Sequence, residues 1–192
     1  MNKIIICLLF ITSFLSSNIL SAQSTSGVQV YGGYVAGFNS DNEFTPSGIR
    51  GGYLLGADAR VLAGDLYFLF GGRYNVIAIN GASAFGFSSD NFDFGTARVG
   101  IGFTVWNINR TTRLRSKFLG SAHFVLDVDR EKVQNPDYSR FNDTFAGLTT
   151  GIGLDKGLFT IDLEYELGLV NAVFEKPDTK IDFITLTGGI KF

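Results

Sequence analysis

Residues 158–170 read LFTIDLEYELGLV, and their side chains fall into two alternating series. The odd-numbered positions from Phe159 to Leu169 are all apolar. The positions between them are Thr160, Asp162, Glu164, Glu166 and Gly168. Because successive side chains on a strand point to opposite faces, this period of two predicts a β-strand with one apolar and one acidic face. The stretch alone does not indicate which face meets solvent.

The chain begins with a segment that we interpret as a cleaved targeting sequence. Residues 1–22 contain one Lys, a mostly apolar run and small residues before Gln23, which is typical of a secretory signal peptide cut after Ala22. Cys7, the only cysteine, lies in this segment, so we expect no thiol, disulfide or cysteine metal site in the mature chain. Residues 23–192 have a length that suits one domain.

The composition indicates a chain of strands and turns. Charged residues make up 18% of the sequence, against a usual value of about 25%, and there are 24 Gly and 19 Phe among 192 residues. The net charge of −2 provides no basic field that would attract nucleic acid, so we predict no nucleic-acid partner.

Alternating segments recur along the whole mature chain and predict eight strands. We place them near 28–38, 48–62, 66–79, 93–106, 113–127, 143–154, 158–173 and 180–192. Most are much longer than the five or six residues of an average strand. Long polar connections alternate with short turns such as AGD and DKG, which puts all the long connections at one end of an up-and-down sheet.

Two architectures share this alternation of apolar and polar faces. A secreted, soluble, lipocalin-like ligand-binding barrel would bury the apolar series, whereas a membrane barrel would turn it outward. Strand lengths of more than 9 to 11 residues, short turns at one rim and the even strand count favour the membrane barrel. The polar series also contains few lysines, which is unusual for a surface that faces water.

The C-terminal stretch ITLTGGIKF carries a family resemblance. With it, the chain over 23–192 resembles the small eight-stranded outer-membrane barrels of the OmpX type and the outer-membrane β-barrel domain proteins of Bacteroidota, including the PorT-like group. In such families a last strand ending in Phe is similar to the signal read by the barrel-insertion machinery. The residues that match this signal are Ile184, Leu186, Ile190 and Phe192.

This resemblance implies an all-β fold, an eight-stranded antiparallel up-and-down transmembrane β-barrel that follows a cleaved signal peptide. It also implies export to the outer membrane of a Gram-negative bacterium, with outer-membrane lipid and the barrel-insertion machinery as partners.

In such a barrel the charged side chains must face the lumen, since each one in lipid near mid-depth would cost roughly 2 to 4 kcal/mol. The interior of eight strands is just wide enough for side chains to fill, and buried charges persist only when they are paired. We therefore predict a plugged lumen in which Asp162, Glu164 and Glu166 meet Arg60, Arg98, Arg115 or Lys117. The predicted lumen charge network consists of Arg60, Arg73, Arg98, Arg115, Lys117, Asp162, Glu164 and Glu166.

Ser121 and His123 share the polar face of one strand and raise the alternative of a lipid-modifying outer-membrane enzyme. Lipid A deacylases also use a His and a Ser on a barrel strand, but there the His comes first and both residues face lipid. We identify no partner that would orient His123, and we interpret it as a hydrogen-bonded lumen residue. We predict no catalytic, cofactor-binding or metal-binding residues.

The two longest connections are candidates for contacts with an envelope protein partner. Residues 80–92 contain Phe85, Phe87 and Phe92, and residues 129–142 contain Tyr138. Loops on a rigid scaffold often carry function. The sequence thus predicts a non-enzymatic protein with an envelope structural role, or with surface or assembly interactions through its loops. Trp106, Tyr67 and Tyr165 are candidates for the belts of aromatic side chains that membrane barrels carry at both interfaces. Trp106 and Tyr67, however, occupy alternate positions that we assign to the lumen face.

Overall fold

The computed structural model describes residues 26–39, 49–78, 91–128, 142–171 and 180–192. In these ranges the predicted eight strands are confirmed. They are β1 (Gly27–Asn39), β2 (Ile49–Ala63), β3 (Leu66–Ala78), β4 (Asn91–Asn107), β5 (Thr112–Val128), β6 (Thr144–Lys156), β7 (Phe159–Gly168) and β8 (Ile181–Lys191). The seventh strand is shorter than the predicted 158–173. The predicted signal peptide, residues 1–22, lies outside the described residues.

The strands form one closed antiparallel barrel in which each strand pairs with its neighbours in the sequence and β8 pairs with β1. Glycines at positive φ, Gly64 at 74° and Gly157 at 60°, lie in the tight connections β2–β3 and β6–β7, where a side chain would be strained. These connections and β4–β5 define the turn end of the barrel, and the opposite end is its loop end. No helix in the described residues is long and apolar enough to cross a membrane.

The acidic face of β7 points into the barrel. Exposed and buried residues alternate strictly along this strand, with Leu163 47% exposed and Asp162 only 1% exposed. The other strands follow the same rule, so large apolar side chains cover the outside of all eight. This orientation is the opposite of a soluble barrel, in which the apolar side chains line the interior.

One position departs from the predicted parity because of a β-bulge in β4. The register with β5 shifts between Thr104 and Trp106, which inserts Val105 as an extra residue. Trp106 therefore points outward and is 63% exposed, although simple alternation predicts that it faces the lumen. Tyr67 does lie inside the barrel, and Tyr165 lies on the outer surface.

The interior is apolar at the loop end. Four phenylalanines pack together there, and we call them the aromatic cap: Phe92, Phe94, Phe145 and Phe183. Ring centroids of Phe94 lie 5.3 Å from Phe92 and 5.7 Å from both Phe145 and Phe183. The prediction that Phe92 belongs to a contact loop is wrong, since it lies in β4 and is 7% exposed. Phe85, Phe87 and Tyr138 lie outside the described residues.

Candidate functional site

A network of buried ion pairs occupies the middle of the barrel. The Glu164 carboxylate on β7 contacts three cations: Arg73 at 3.2 Å, Arg98 at 2.9 Å and the Lys117 ammonium. Arg73 also contacts Glu166 at 2.8 Å. All of these side chains are at most 2% exposed, so water does little to screen the attraction between them.

Several of these contacts cross the barrel. In the closed ring of eight strands, β3 is four positions from β7 and β2 is four positions from β6, so each of these pairs consists of opposite walls. Arg73 on β3 reaches Glu164 and Glu166 on β7, and Arg60 on β2 reaches Asp155 on β6 at 3.2 Å. The side chains therefore meet at the barrel axis, as the narrow interior of an eight-stranded barrel requires.

Toward the turn end the cations gather around another carboxylate. Asp155 contacts Arg60 at 3.2 Å, Arg115 at 2.8 Å and Lys191 at 3.3 Å. Arg115 also contacts Asp162 at 2.7 Å. We call this group of Arg60, Arg115, Lys191 and Asp155 the turn-end cluster.

Asp162 joins the turn-end cluster to the middle of the barrel, because it contacts Lys117 at 2.9 Å as well as Arg115. At the level of Glu164, Arg98 also contacts Asp58 on β2 at 2.6 Å. The structure thus brings together all eight side chains of the predicted network, either directly or through these shared carboxylates. It pairs Arg60 with Asp155 rather than with the acids of β7.

Three members of the observed network are absent from the predicted one: Asp58, Asp155 and Lys191. Asp155 is followed directly by the Lys156-Gly157 turn, so the sequence signal there is that of a turn. Its odd number would have placed Asp155 on the lumen face, because Gly151 and Gly153 on β6 point inward at the same alternate positions.

Glycines on β6 make room for this network. An added Cβ at Gly153 would lie 2.5 Å from Asp162 Oδ1 and 2.6 Å from Arg115 Cζ. At Gly147 it would lie 2.5 Å from Glu166 Oε1, and at Gly151 it would lie 3.1 Å from Glu164 Cγ. Real Cβ atoms do not approach other atoms as closely as the distances at Gly153 and Gly147. The bare backbone of β6 is therefore the surface on which the long charged side chains lie.

His123 lies between the charge network and the aromatic cap. Its Nδ1 is 2.9 Å from Thr96 Oγ1, its Nε2 contacts Glu166, and its ring stacks on Phe145 at a centroid distance of 4.3 Å. Ser121 hydrogen bonds with Thr149, whose hydroxyl donates to Glu166. Glu166 is the orienting partner of His123 that sequence reasoning missed, and it is hidden in the sequence because it is 43 residues away.

This arrangement does not resemble a nucleophilic centre that is open to a substrate. His123 is 0% exposed, and Ser121 is bonded to Thr149 inside the barrel. Among the described residues there is no group of three or more His, Cys, Asp or Glu side chains that could hold a metal ion. What the arrangement does chemically is neutralise opposite charges and fill the interior.

The closed antiparallel ring of eight long strands is the fold of the small outer-membrane β-barrels. Neisserial surface protein A is a solved structure with this fold: it is 16% identical, the match covers 88% of this chain and 98% of that one, and the TM-score is 0.58. Ail, the attachment invasion locus protein of Yersinia pestis, is 15% identical over 88% of this chain and all 100% of its own, with a TM-score of 0.46. No protein-family model and no curated protein sequence matches the chain. The likeness to OmpX-type and PorT-like proteins therefore stays a prediction.

Proposed function

We propose that this chain is an integral outer-membrane protein of a Gram-negative bacterium with a closed, ion-paired interior. The observation that supports this most is the inverted distribution of side chains: apolar groups outside, charges inside. The outward apolar series that begins on β7 runs from Phe159 to Leu169, one residue past the end of the strand, which is ten residue steps or ~33 Å along an extended chain. With the usual strand tilt of ~40° this gives an apolar band about 25 Å tall, which matches the band of known membrane barrels.

The same distribution argues against the soluble ligand-binding barrel. Such a protein would expose Leu163, Leu186 and Val99 to water, since these side chains are 47%, 53% and 64% exposed. Soluble monomers rarely expose a contiguous apolar surface that covers every strand. In addition, the ion pairs and the aromatic cap occupy the space that a lipocalin-type organic ligand would need.

The filled interior also argues against a diffusion channel. Ions that moved along the axis would have to pass the aromatic cap and then displace the pairs between Arg73, Arg98 and Glu164. Separating a buried pair leaves uncompensated charges and costs several kcal/mol. We therefore assign the protein no conductance in its native state.

The role that remains is non-enzymatic. We assign it to the envelope itself, as a structural component, or to surface or assembly contacts through the long connections at the loop end. Phe85, Phe87 and Tyr138 belong to these connections and are the candidate contact residues. Ile184, Leu186, Ile190 and Phe192 all point outward from the last strand, an orientation that suits recognition by the barrel-insertion machinery.

The test is expression of the full chain in a Gram-negative host, followed by gel electrophoresis of membrane and soluble fractions with and without boiling. A membrane barrel is expected in the outer-membrane fraction, with faster migration before boiling than after it. Recovery in the soluble fraction with no heat-dependent shift would contradict the proposal. Reconstitution in planar bilayers then tests closure, and regular single-channel steps would contradict the assignment of a closed interior.

A second experiment addresses the loops. A photo-crosslinking residue in place of Tyr138 in intact cells, with mass spectrometry of the products, tests for a protein partner. A reproducible adduct with one envelope protein favours the assembly role. Capture of lipid alone favours a structural role.

A further inference from the structure

Two buried arginines of the turn-end cluster have N–H groups without a hydrogen-bond partner among the described residues. They are Nε and Nη2 of Arg60 and Nη1 of Arg115. Arg60 is 2% exposed and Arg115 is 1% exposed. A buried donor without an acceptor destabilises a fold, and the effect is larger when the group is charged. Three such donors in one place therefore call for an acceptor.

The unpartnered donors belong to neighbouring groups. Arg60 Nη1 and Arg115 Nε approach the same atom, Asp155 Oδ1, at 3.5 and 2.8 Å. The ring of Tyr67 lies 5.8 Å from the Arg60 guanidinium carbon, and its face attracts the cation. Arg60 Nη1 lies closer to the other oxygen, Asp155 Oδ2, at 3.2 Å, so the two guanidinium groups share one carboxylate.

The charges of the interior do not balance. The described lumen contains six Arg and Lys side chains that form ion pairs: Arg60, Arg73, Arg98, Arg115, Lys117 and Lys191. It contains five paired carboxylates: Asp58, Asp155, Asp162, Glu164 and Glu166. One positive charge is left over even when His123 is neutral.

The excess lies at the turn end. Three cations, Arg60, Arg115 and Lys191, surround Asp155 there, and Asp162 is shared with Lys117. In the middle of the barrel Glu164 and Glu166 by contrast share Arg73. An uncompensated charge in such a buried site is costly, because it has lost its hydration without gaining a counterion.

We propose that one halide-sized monovalent anion binds in the turn-end cluster, held by the free N–H groups of Arg60 and Arg115. A single negative charge neutralises the excess, and a small sphere accepts hydrogen bonds from several directions. A doubly charged phosphate or sulfate would exceed the single excess positive charge of the interior. This site goes beyond the proposed function and is independent of it, because it depends on the folded interior rather than on the location of the barrel.

The first experiment measures the thermal unfolding of the refolded barrel in a zwitterionic detergent, in sodium chloride and in sodium gluconate at equal ionic strength. A ligand that binds only the folded state raises the folded-to-unfolded ratio by one plus the ratio of its concentration to its dissociation constant. At ten times the dissociation constant we expect a ratio about 11-fold higher in chloride. Equal unfolding in the two salts would overturn the proposal.

The matched variants are Arg60→Met and Arg73→Met. Arg60→Met leaves five cations with five carboxylates, removes two of the three free donors, and is expected to abolish the difference between the salts. Arg73→Met removes a cation from the middle of the barrel, where both of its Nη atoms are paired and only its Nε has no partner. This variant keeps the three free donors of the turn-end cluster and is expected to keep the difference. A chloride effect of the same size in Arg60→Met as in the wild type would overturn the proposal.

The second experiment tests the anion site in the wild-type protein and does not depend on the folding of a variant. Crystals of the wild-type barrel grown in sodium bromide are expected to show an anomalous peak in contact with Arg60 and Arg115. Electron density there without anomalous signal would mean that water satisfies the donors, and the proposal would be wrong.

Discussion

Arg73 on β3 and Glu164 on β7 form a buried ion pair, with 3.2 Å between Nη1 and Oε2, across opposite walls of the barrel. Neither charge has a local partner on its own strand that could replace the other. This pair needs β3 and β7 to face each other across the ring, so its formation and the closure of the barrel depend on each other. This relationship explains why a chain with so many inward charges can fold at all.

Removal of the Glu164 carboxylate should strongly destabilise the folded barrel. Glu164→Gln leaves Arg73, Arg98 and Lys117 with one fewer negative charge, and loss of one partner of a buried pair typically costs 3 to 5 kcal/mol. We expect a loss of that size in the free energy of unfolding, measured by urea titration of the barrel in phospholipid vesicles. Lys156→Gln, at an exposed position of β6, is the control and should change it by less than about 0.5 kcal/mol. An unchanged free energy of unfolding in Glu164→Gln would contradict the importance of the network.

The glycine surface of β6 can be tested with one added methyl group. Gly153→Ala places a Cβ 2.5 Å from Asp162 Oδ1 and should push it away from Arg115, at a cost of about 1 to 3 kcal/mol. Gly188→Ala is the matched control, since its Cβ points outward and meets nothing within 4 Å. The midpoint of thermal unfolding should fall for the first variant and stay unchanged for the second. Equal midpoints would show that the network tolerates the methyl group.

Depth in the bilayer can be tested on the outward face of β7. Leu163→Arg, near the middle of the apolar series, should lower the free energy of unfolding in vesicles by about 2 to 4 kcal/mol. Leu169→Arg, at the loop end of the same series, should lower it by only about 0 to 1 kcal/mol, because its charge can reach the interface. The two residues are equally exposed within one percentage point. The same loss at both positions would count against a membrane that surrounds the barrel.

Loss of the histidine should leave the lipids of the host unchanged. His123 is enclosed by Thr96, Glu166 and Phe145, so it does not reach lipid. We expect His123→Ala and Ser121→Ala to give the same lipid A mass spectrum as the wild type when each is expressed in the same host. A change of one acyl chain that depends on His123 would support the enzymatic alternative instead.

Much of the fold could be predicted because the period of two is a local signal. The segment LFTIDLEYELGLV shows it without interruption, and exposed and buried side chains alternate in the same way along β7. Long and short connections alternate along the chain, and this alternation predicts the up-and-down order of the strands. Features that depend on contacts with another strand could not be predicted from the sequence. The bulge that turns Trp106 outward arises from its register with β5, and the burial of Phe92 depends on three other phenylalanines from β4, β6 and β8.

The sequence by itself determined the eight strands, their order and the segregation of charge to one face, because these follow from side-chain alternation and turn chemistry along a continuous stretch. Only the tertiary structure decided which acid meets which base. Closure puts β2 opposite β6 and β3 opposite β7, and it thereby pairs Arg60 with Asp155 over 95 residues and Arg73 with Glu164 over 91 residues. Such pairings depend on the geometry of the ring, and no local pattern in the chain encodes them.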